Sequence, residues 1–337
     1  MKRSILGLIY FIHAIDRAGV DVAARLKKIG LKLDEIDHTA LIHPTVDWDI
    51  FEVIAQDIHP EQGLWIGQQY TLTGYGPLLM LMLASPNLQV AFEKGEQYHA
   101  LTHLVGHIQL QRYQHKMMVF YQPDRFQESS SALLRAQTEV SATFKFIQEL
   151  FKMMRMSLPD ILVKLPFDQP HHPEMLAQYR AFYGQNVEFS TERAEFYFAD
   201  DILAMPLPTA NTYSFKTLDQ QCAAELKRLL ENQNEPVIVQ RVKDYLDLQQ
   251  HMIPSMQQTA VALRMPERTL RHQLQLAKTS YKAIREQRIK LKALELMKSD
   301  LYSIEQIAEI LGYSESAAFN HAFKRWFGQS PKKFINS

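Results

Sequence analysis

The sequence predicts an α+β N-terminal domain followed by an all-α C-terminal domain, in which two pairs of short helices are joined by one long helix. Three observations carry this prediction. The chain has 337 residues, a length that suits two domains better than one. Stretches rich in β-branched and aromatic residues, which are typical of strands, lie in the N-terminal part. Residues 254–281 and 302–331 then repeat one helical pattern, each copy with a polar start, a tight break and spaced apolar anchors.

Helical and strand patterns are mixed in the N-terminal part, which is the mark of an α+β domain. Apolar residues at helical spacing predict helices over residues 4–17, 48–57, 77–83, 87–104 and 131–157. Strands are predicted at His107–Tyr113, Met117–Tyr121, Ile161–Leu165 and Ala194–Phe198. The first two strands flank residues 114–116, a segment short enough to be a hairpin connection.

A domain boundary is predicted near residues 231–236, with the sequence ENQNEP. The stretch is polar, ends in Pro236 and follows a predicted helix over residues 217–230. The sequence therefore divides into an N-terminal domain at 1–232, a linker at 233–237 and a C-terminal domain at 238–337.

The charge of the chain is unevenly distributed although its formal net charge is zero. Residues 237–337 contain 16 basic and 9 acidic residues, a net of +7, and the rest of the chain contains 21 and 28, a net of −7. This asymmetry is typical of a protein in which one part meets phosphates. Cys222 is the sole cysteine, so the chain has no internal disulfide and no multi-cysteine metal site. With no apolar stretch long enough to span a bilayer, we expect a cytoplasmic protein without membrane partners.

The repeated unit predicts DNA binding. Two short helices with an abrupt turn between them form the unit that lays its second helix in the major groove. The anchors of the two copies are Ala260, Leu263, Leu270 and Leu274, and Ala308, Leu311, Phe319 and Phe323. The alternative is an ordinary helical bundle with basic, solvated faces. Two copies, the basic helix predicted between them at residues 281–298 and the charge asymmetry together favour two helix-turn-helix units.

The motifs of both parts resemble those of AraC-family transcription regulators. In the second unit the matching segments are IAEILGYS at 307–314, Phe319 and FKRWFGQSP at 323–331. In the N-terminal part, looser matches to the arabinose-binding-type sensor domain are RAGVD at 17–21, GYGPL at 74–78, ASPNL at 84–88 and YRAFYG at 179–184. The resemblance covers nearly the whole chain and implies a DNA-binding regulator, most of whose relatives are activators.

The second unit has the end signals that its helices require. Ser303 is a predicted N-cap, Gly312 is predicted to end the first helix in a left-handed conformation, and Ser314 is predicted to cap the second helix. The predicted DNA contacts of this unit are Ser316, Ala317, Asn320, His321, Lys324 and Arg325. Asn320 has the amide that pairs with adenine, whereas Arg325 is better suited to phosphates, as are Lys332 and Lys333.

The first unit departs from the family pattern at two positions. Pro266 stands where an N-cap serine is expected, and Lys278 stands where a glycine is expected after the second helix. The predicted DNA contacts here are Arg268, Thr269, Arg271, His272 and Gln275. Because arginine pairs with guanine O6 and N7, we expect the first unit to contribute more to base reading and the second to supply register.

The sequence nominates an effector pocket but no catalytic site, cofactor site or metal site. The pocket residues proposed from aromatic and polar side chains among apolar neighbours are Tyr75, Leu78, Tyr98, His103 and Arg135. An equally good interpretation is that these residues pack and cap. His99, His103 and His107 recur at helical spacing, but the Val105-Gly106 step is predicted to end the helix, so a structural or ligand-contacting role is favoured over a metal site.

The resulting hypothesis is a regulator, and an activator, that binds double-stranded DNA and responds to a small molecule bound by its N-terminal domain. RNA polymerase and a second copy of the chain are further expected partners. Two alternatives stay open at this stage. The N-terminal domain is either a ligand-free dimerisation or protein-interaction module, or, more remotely, an enzyme whose catalytic groups converge in space.

Overall fold

The computed structural model describes residues 2–122, 128–231, 235–248, 253–299 and 301–335. The α-helices are α1 (Leu6–Arg17), α2 (Val22–Lys28), α3 (Pro44–Ile54), α4 (Gly63–Gly67), α5 (Gly76–Leu83), α6 (Leu88–Gln97), α7 (Ser130–Met153), α8 (Pro173–Tyr183), α9 (Asp200–Ala204), α10 (Thr212–Glu231), α11 (Val237–Asp247), α12 (Met256–Ala262), α13 (Glu267–Leu276), α14 (Tyr281–Lys298), α15 (Ile304–Ile310), α16 (Ser316–Phe327) and α17 (Pro331–Ile335). The strands are β1 (Arg3–Ser4), β2 (Leu41–Ile42), β3 (His107–Tyr113), β4 (Lys116–Gln122), β5 (Val163–Lys164), β6 (Val187–Glu188) and β7 (Ala194–Ala199). Among the described residues, no helix is long and apolar enough to cross a membrane.

The chain forms two compact units that interleave along the sequence. The N-terminal unit comprises Met1–Val20 and Ala55–Gln233, and the C-terminal unit comprises Asp21–Ile54 and Asn234–Ser337. Helices α2 and α3 therefore share a unit with the two helix-turn-helix units. The proposed linker at 233–237 lies partly outside the described residues, and the division of the chain into domains at that point stays a prediction.

The N-terminal unit is built on a five-stranded mixed sheet, and its α+β class is confirmed. The strand order is β3-β4-β7-β5-β6, with every pair antiparallel except β5 and β6. The predicted hairpin is present, because Tyr113 pairs with Lys116 across a two-residue turn in which Gln114 has a φ of 53°. In β4, which lies between β3 and β7, the five residues Met117–Tyr121 are buried.

Helix α7 lies at the core of this unit. Its first turn is capped by Ser129, whose Oγ accepts from the Ala132 N–H at 3.1 Å. The helix ends at Met153, four residues before the predicted end, because the chain turns at Arg155, which has a φ of 56°. On its buried side α4 approaches closely, since a Cβ at Gly67 would overlap the Ser141 hydroxyl and the Thr138 carbonyl.

Two predicted helices that precede β3 in the sequence have different bounds in the structure. The helix predicted over 87–104 is wrong in its second half, because α6 ends at Gln97 and a 3₁₀ turn follows at His99–Leu101. A side-chain bond accompanies this break, since the Tyr98 hydroxyl donates to Asp219 Oδ1 at 2.7 Å. The helix predicted over 48–57 runs instead from Pro44 to Ile54.

The C-terminal unit is organised around α14, whose bounds match the predicted helix over 281–298. At its start, the Tyr281 hydroxyl donates to the Pro254 carbonyl at 2.5 Å and lies 3.1 Å from the Thr259 hydroxyl. One turn further along, Glu286 accepts from the Trp326 indole N–H at 2.8 Å. These bonds fix both helix-turn-helix units to one central helix, and the described part of residues 238–337 is helical, as predicted.

Candidate DNA interface and effector cavity

Both helix-turn-helix units begin with the same capping arrangement. Ser255 Oγ accepts from the Gln258 N–H at 3.2 Å, while Gln258 Oε1 accepts from the Ser255 N–H at 2.8 Å. Ser303 and Gln306 form the same pair at the same distances, which confirms Ser303 as an N-cap. Each of these capping boxes provides acceptors for two N–H groups that otherwise lack partners at the start of the helix.

The turns between the helices use left-handed residues at matching positions. Gly312 has a φ of 78°, as its predicted role requires. The corresponding residue of the first unit is Arg264, with a φ of 52°, which the sequence reasoning did not anticipate. Lys278, after the second helix of this unit, also has a positive φ of 57°, so the family's glycine position is left-handed here as well. A non-glycine side chain at such a position costs on the order of 1 kcal/mol.

The caps of the two recognition helices, α13 and α16, lack side-chain hydrogen bonds. Pro266 is the N-cap of α13, in line with its expected position at the helix start. Ser314 was predicted to cap α16, and this is wrong, because α16 begins one residue later, with Glu315 as its N-cap. The turn of the second unit is thus five residues long, against four in the first.

The recognition helix α13 presents its predicted contacts on one exposed face. Leu270 and Leu274 are buried, and the opposite side carries exposed residues at helical spacing, namely Arg268, Thr269, Arg271, His272 and Gln275. The Arg271 guanidinium lies 2.7 Å from Glu267 Oε1, one turn earlier on the same helix. The surface is therefore cationic and polar, which suits base edges and phosphates.

The recognition helix α16 presents a face whose basic residues lie in its C-terminal half. Phe319 and Phe323 are buried, and Ala317, His321, Lys324 and Arg325 are exposed, while Ser316 and Asn320 are half-buried. Arg325 points toward α14, where its guanidinium lies 2.7 Å from Glu286 Oε1. Its position beside the central helix fits phosphate contact better than base contact.

Helix α3 contacts α11 and the turn of the first helix-turn-helix unit through two ion pairs that local sequence patterns do not reveal. Arg241 of α11 lies 2.5 Å from Asp49 Oδ2, and the same nitrogen donates to the Leu263 carbonyl at 3.2 Å. Arg264, the left-handed residue of the turn, pairs with Glu52. Two of the basic residues near the DNA-binding surface are thus engaged by carboxylates of α3.

An apolar cavity with an empty volume of about 480 Å³, including its mouth, lies in the N-terminal unit. One wall is formed by Tyr75, Leu78 and Met82, and the sheet contributes Ile108, Leu110 and Val119. The remaining walls come from α6, the segment after it and α7, with the side chains of Phe92, Thr102, Leu104, Thr143, Phe146 and Ile147. Its lining is mainly aliphatic and aromatic with a few hydroxyl groups, a composition that is typical of small-molecule sites.

The five nominated pocket residues occupy different places around this cavity. Tyr75 and Leu78 line it. His103 does not line it, but its ring packs edge-on against Tyr75, with centroids 4.8 Å apart. Tyr98 is bonded to Asp219, and Arg135 is bonded to Glu139 inside α7. Apart from Leu78, the sequence analysis did not predict the apolar residues of the lining. The methionine and aromatic residues of α5 and α6, such as Met82 and Phe92, were the sequence feature that could have indicated them.

A buried polar network lies beside the cavity and holds the segment between α6 and β3. Glu139 accepts from Arg135 Nε at 2.7 Å, from the Gly106 N–H at 3.2 Å and from the Tyr121 hydroxyl. It also accepts from the Val105 N–H at 3.2 Å. Burial alone would raise the pKa of the Glu139 carboxyl, but Arg135 and the hydrogen bonds outweigh it and hold that pKa below its usual range. The network thus fixes a segment that borders the cavity.

The three spaced histidines do not share one helix. His99 lies in the 3₁₀ turn, His103 follows it and His107 begins β3. In the described residues, no group of three or more His, Cys, Asp or Glu side chains is placed to hold a metal ion. Burial lowers the pKa of His103 to about 4 and that of His99 to about 3, so both rings are neutral at physiological pH.

Two helix-turn-helix units on one central helix, each with an exposed polar recognition face, define a DNA-binding protein. Residues 19–207 match the arabinose-binding N-terminal domain of AraC transcription regulators, and residues 259–337 match a helix-turn-helix domain. The chain belongs to the AraC family and is a DNA-binding transcription regulator with an arabinose-binding-type N-terminal domain.

Three proteins of Pseudomonas aeruginosa illustrate what this chain is similar to. The HTH-type transcriptional regulator VqsM is 27% identical over 289 residues, covering 85% of this chain and 86% of VqsM. The ornithine utilization regulator is 25% identical over 286 residues, covering 82% of this chain and 78% of its own. The crystal structure of the transcriptional regulator CdpR aligns over 88% of this chain and 92% of its own, with 22% identity and a TM-score of 0.45.

Proposed function

We propose that this regulator is controlled by a small molecule that binds in the N-terminal cavity and changes how the C-terminal unit occupies its promoter. In this proposal the protein is an activator, it contacts RNA polymerase at the promoter, and two copies bind together. The observation that carries the proposal is the cavity bounded by Tyr75 and Leu78, in the unit that does not contain the recognition helices.

The position of the cavity supports control by a ligand. Its wall includes Thr102 and Leu104, which flank the segment held by Glu139. A molecule that enters must contact this segment, the sheet and α7 together. Binding energy that differs between two arrangements of these elements shifts the population of one of them. The change in arrangement is then passed to the DNA-binding unit.

DNA binding at the protein's own upstream region tests the first part of this proposal. A gel-shift titration over a series of salt concentrations should give specific binding that weakens as salt rises, because phosphate contacts release counterions. If no specific, salt-sensitive binding is found with or without candidate effectors, the proposal is wrong.

Thermal denaturation distinguishes control by a ligand from the alternative in which the N-terminal unit binds no ligand and serves dimerisation or protein contact. A ligand that binds the folded state alone raises the melting temperature. If a broad panel of small molecules leaves the melting temperature unchanged while DNA binding is intact, the ligand-free interpretation holds.

A further inference from the structure

The cavity of the N-terminal unit lies in a domain whose family is described as arabinose-binding, yet its lining is unsuited to a sugar. Aliphatic and aromatic side chains form nearly all of it. Thr102, Thr143 and Tyr75 supply its hydroxyl groups. A pentose carries an oxygen on each carbon. In this cavity most of those oxygens would be buried against hydrocarbon side chains without a hydrogen-bond partner.

The two threonine hydroxyls are already engaged. Thr143 Oγ1 donates to the Glu139 carbonyl at 2.8 Å, and Thr102 Oγ1 accepts from the Leu104 N–H at 3.3 Å. Each retains capacity for at most two further hydrogen bonds: Thr143 as an acceptor, and Thr102 as one donor and one acceptor. Every sugar hydroxyl left without a partner would lower the affinity by about tenfold, since its bonds to water are lost. The lining therefore accommodates a ligand with one or two polar atoms at most.

The described lining carries no charged side chain. The nearest basic residue along α6 is Lys94, next to Gly95 of the lining, and its ammonium lies 2.8 Å from Asp219 Oδ1. An anionic ligand would therefore leave its charge in an apolar site without a partner, which is strongly unfavourable.

We propose that this cavity selects a neutral, largely aliphatic molecule with at most one polar head group, and that it excludes sugars and carboxylates. The inference rests on the proposed function, because it names the chemical class of that effector. Leu78, Met82 and Ile147 contact the aliphatic chain, and the flexible Met82 adjusts to its length. The head group bonds to Thr102 or Thr143.

A homologous series of ligands tests the class directly. Binding of 1-butanol, 1-hexanol, 1-octanol and 1-decanol to the full-length protein is measured by melting temperature and by titration calorimetry. Each added methylene should tighten binding about fourfold until the cavity is filled. Octanoate and L-arabinose are the comparison ligands, and both should bind at least tenfold more weakly than 1-octanol.

A cavity-filling variant shows that the alcohols act in this site. A side chain at Gly95 would first meet the end of Met82, 3.3 Å from its Cε, so Gly95→Leu places new methyl groups in the cavity against a yielding neighbour. The variant should keep its fold and lose the response to 1-octanol. Gln97→Leu, which adds the same side chain at an exposed position of α6, is the matched control and should respond like the wild type.

A second variant tests whether the lack of a charged side chain in the lining is what disfavours anionic ligands. Ile108 lines the cavity and is half-buried, so Ile108→Lys can place an ammonium at the mouth. This change should reverse the preference, so that octanoate binds more tightly than 1-octanol.

The outcomes distinguish failure of the proposed ligand class from failure of the proposed control by a small molecule. If octanoate or L-arabinose binds the wild type more tightly than 1-octanol and Gly95→Leu abolishes that binding, the ligand class is wrong while control by a cavity ligand stands. If 1-octanol binds equally to Gly95→Leu, the site is wrong. If no compound of any class changes the melting temperature or promoter occupancy, the proposed function itself fails.

Discussion

His103 is a buried ring surrounded by tyrosines in the N-terminal unit. Its ring centroid lies 4.8 Å from that of Tyr75, 5.3 Å from that of Tyr10 and 5.5 Å from that of Tyr70. The Tyr75 ring also forms part of the cavity wall, so His103 supports that wall from behind. The sequence reasoning singled out this histidine for a ligand-contacting or structural role, and its position one ring away from the lining indicates support of the site.

The pKa of His103 predicts a dependence of stability on pH. Burial lowers this pKa to about 4, the Glu139 carboxylate opposes the change, and Arg135 adds to it. In the unfolded chain the pKa is the ordinary value of about 6.5. Between these two values the unfolded state binds a proton that the folded state does not, so the free energy of unfolding falls as the pH falls from about 6.5 to 4. His99, whose folded pKa is about 3, contributes in the same direction.

The His103→Phe variant should therefore lose stability less steeply on acidification. Phenylalanine keeps an aromatic ring among the tyrosines but takes up no proton. We expect urea unfolding at pH 7, 6 and 5 to show a smaller loss than in the wild type, by up to about 1.4 kcal/mol per pH unit. His171→Phe, at an exposed position, is the matched control and should follow the wild type. Identical pH profiles for His103→Phe and the wild type would contradict the assignment.

At the scale of elements, the segment 21–54 supports α11 and, through Glu52, the turn of the first helix-turn-helix unit. Beyond the Asp49 and Glu52 pairs, the Tyr245 hydroxyl donates to the Ile29 carbonyl at 2.5 Å and the His43 N–H donates to Asp244 Oδ2 at 2.7 Å. Residues 21–54 carry seven acidic and four basic residues, which complements the basic helices. Since α3 ends at Ile54 and the N-terminal unit resumes at Ala55, this segment continues directly into the N-terminal unit along the chain.

Breaking the Asp49–Arg241 pair should destabilise the C-terminal unit. Both side chains are less than one-fifth exposed, so the pair is only partly screened by water. We expect Asp49→Ala to lower the free energy of unfolding by about 2 kcal/mol, because Arg241 keeps its charge and loses its carboxylate partner, with the Leu263 carbonyl left as an acceptor. Equilibrium denaturation with urea measures this. Asp34→Ala, in the same segment but without a described ion pair, is the control.

A charge exchange tests whether the pair itself is responsible. The double variant Asp49→Arg with Arg241→Asp should recover part of the stability that each single change removes. Strictly additive losses in the double variant would show that each residue acts through other contacts.

At the scale of the whole molecule, local patterns predicted most of the long elements but not α2 or α8, and they did not predict the long-range packing. Helix α14 was predicted with its observed bounds because its apolar spacing and its flanking serine are encoded in adjacent residues. The left-handed Arg264 carries no such local signal, since its Glu52 partner is far away along the chain. The Asp49–Arg241 pair joins residues 192 positions apart. The recognition faces were predictable because exposure follows from helical periodicity, whereas the cavity depends on how α5, α6, α7 and the sheet converge.

The placement of arginine along the two recognition helices argues that they contribute unequally to sequence reading. The face of α13 presents Arg268 and Arg271, whereas the corresponding face of α16 presents Ala317 and Asn320. Arginine offers two donors to guanine, and alanine offers none. We therefore expect α13 to contribute more of the sequence discrimination and α16 to set the register on the DNA.

Alanine substitutions measured against the specific promoter site test this division. Arg268→Ala should cost about 1–3 kcal/mol of binding free energy and relax the preference at one base pair. Asn320→Ala should cost less. Arg180→Ala, an exposed arginine of the N-terminal unit, controls for the loss of one positive charge and should leave affinity nearly unchanged.

The salt dependence shows what kind of contact is lost. If Arg268 grips a phosphate and not a base, its removal would weaken binding equally on all sequences and reduce the slope of log affinity against log salt by about one. A larger loss of discrimination in Asn320→Ala than in Arg268→Ala would reverse the ranking, because α16 would then be the main reader of bases and α13 the helix that sets its register.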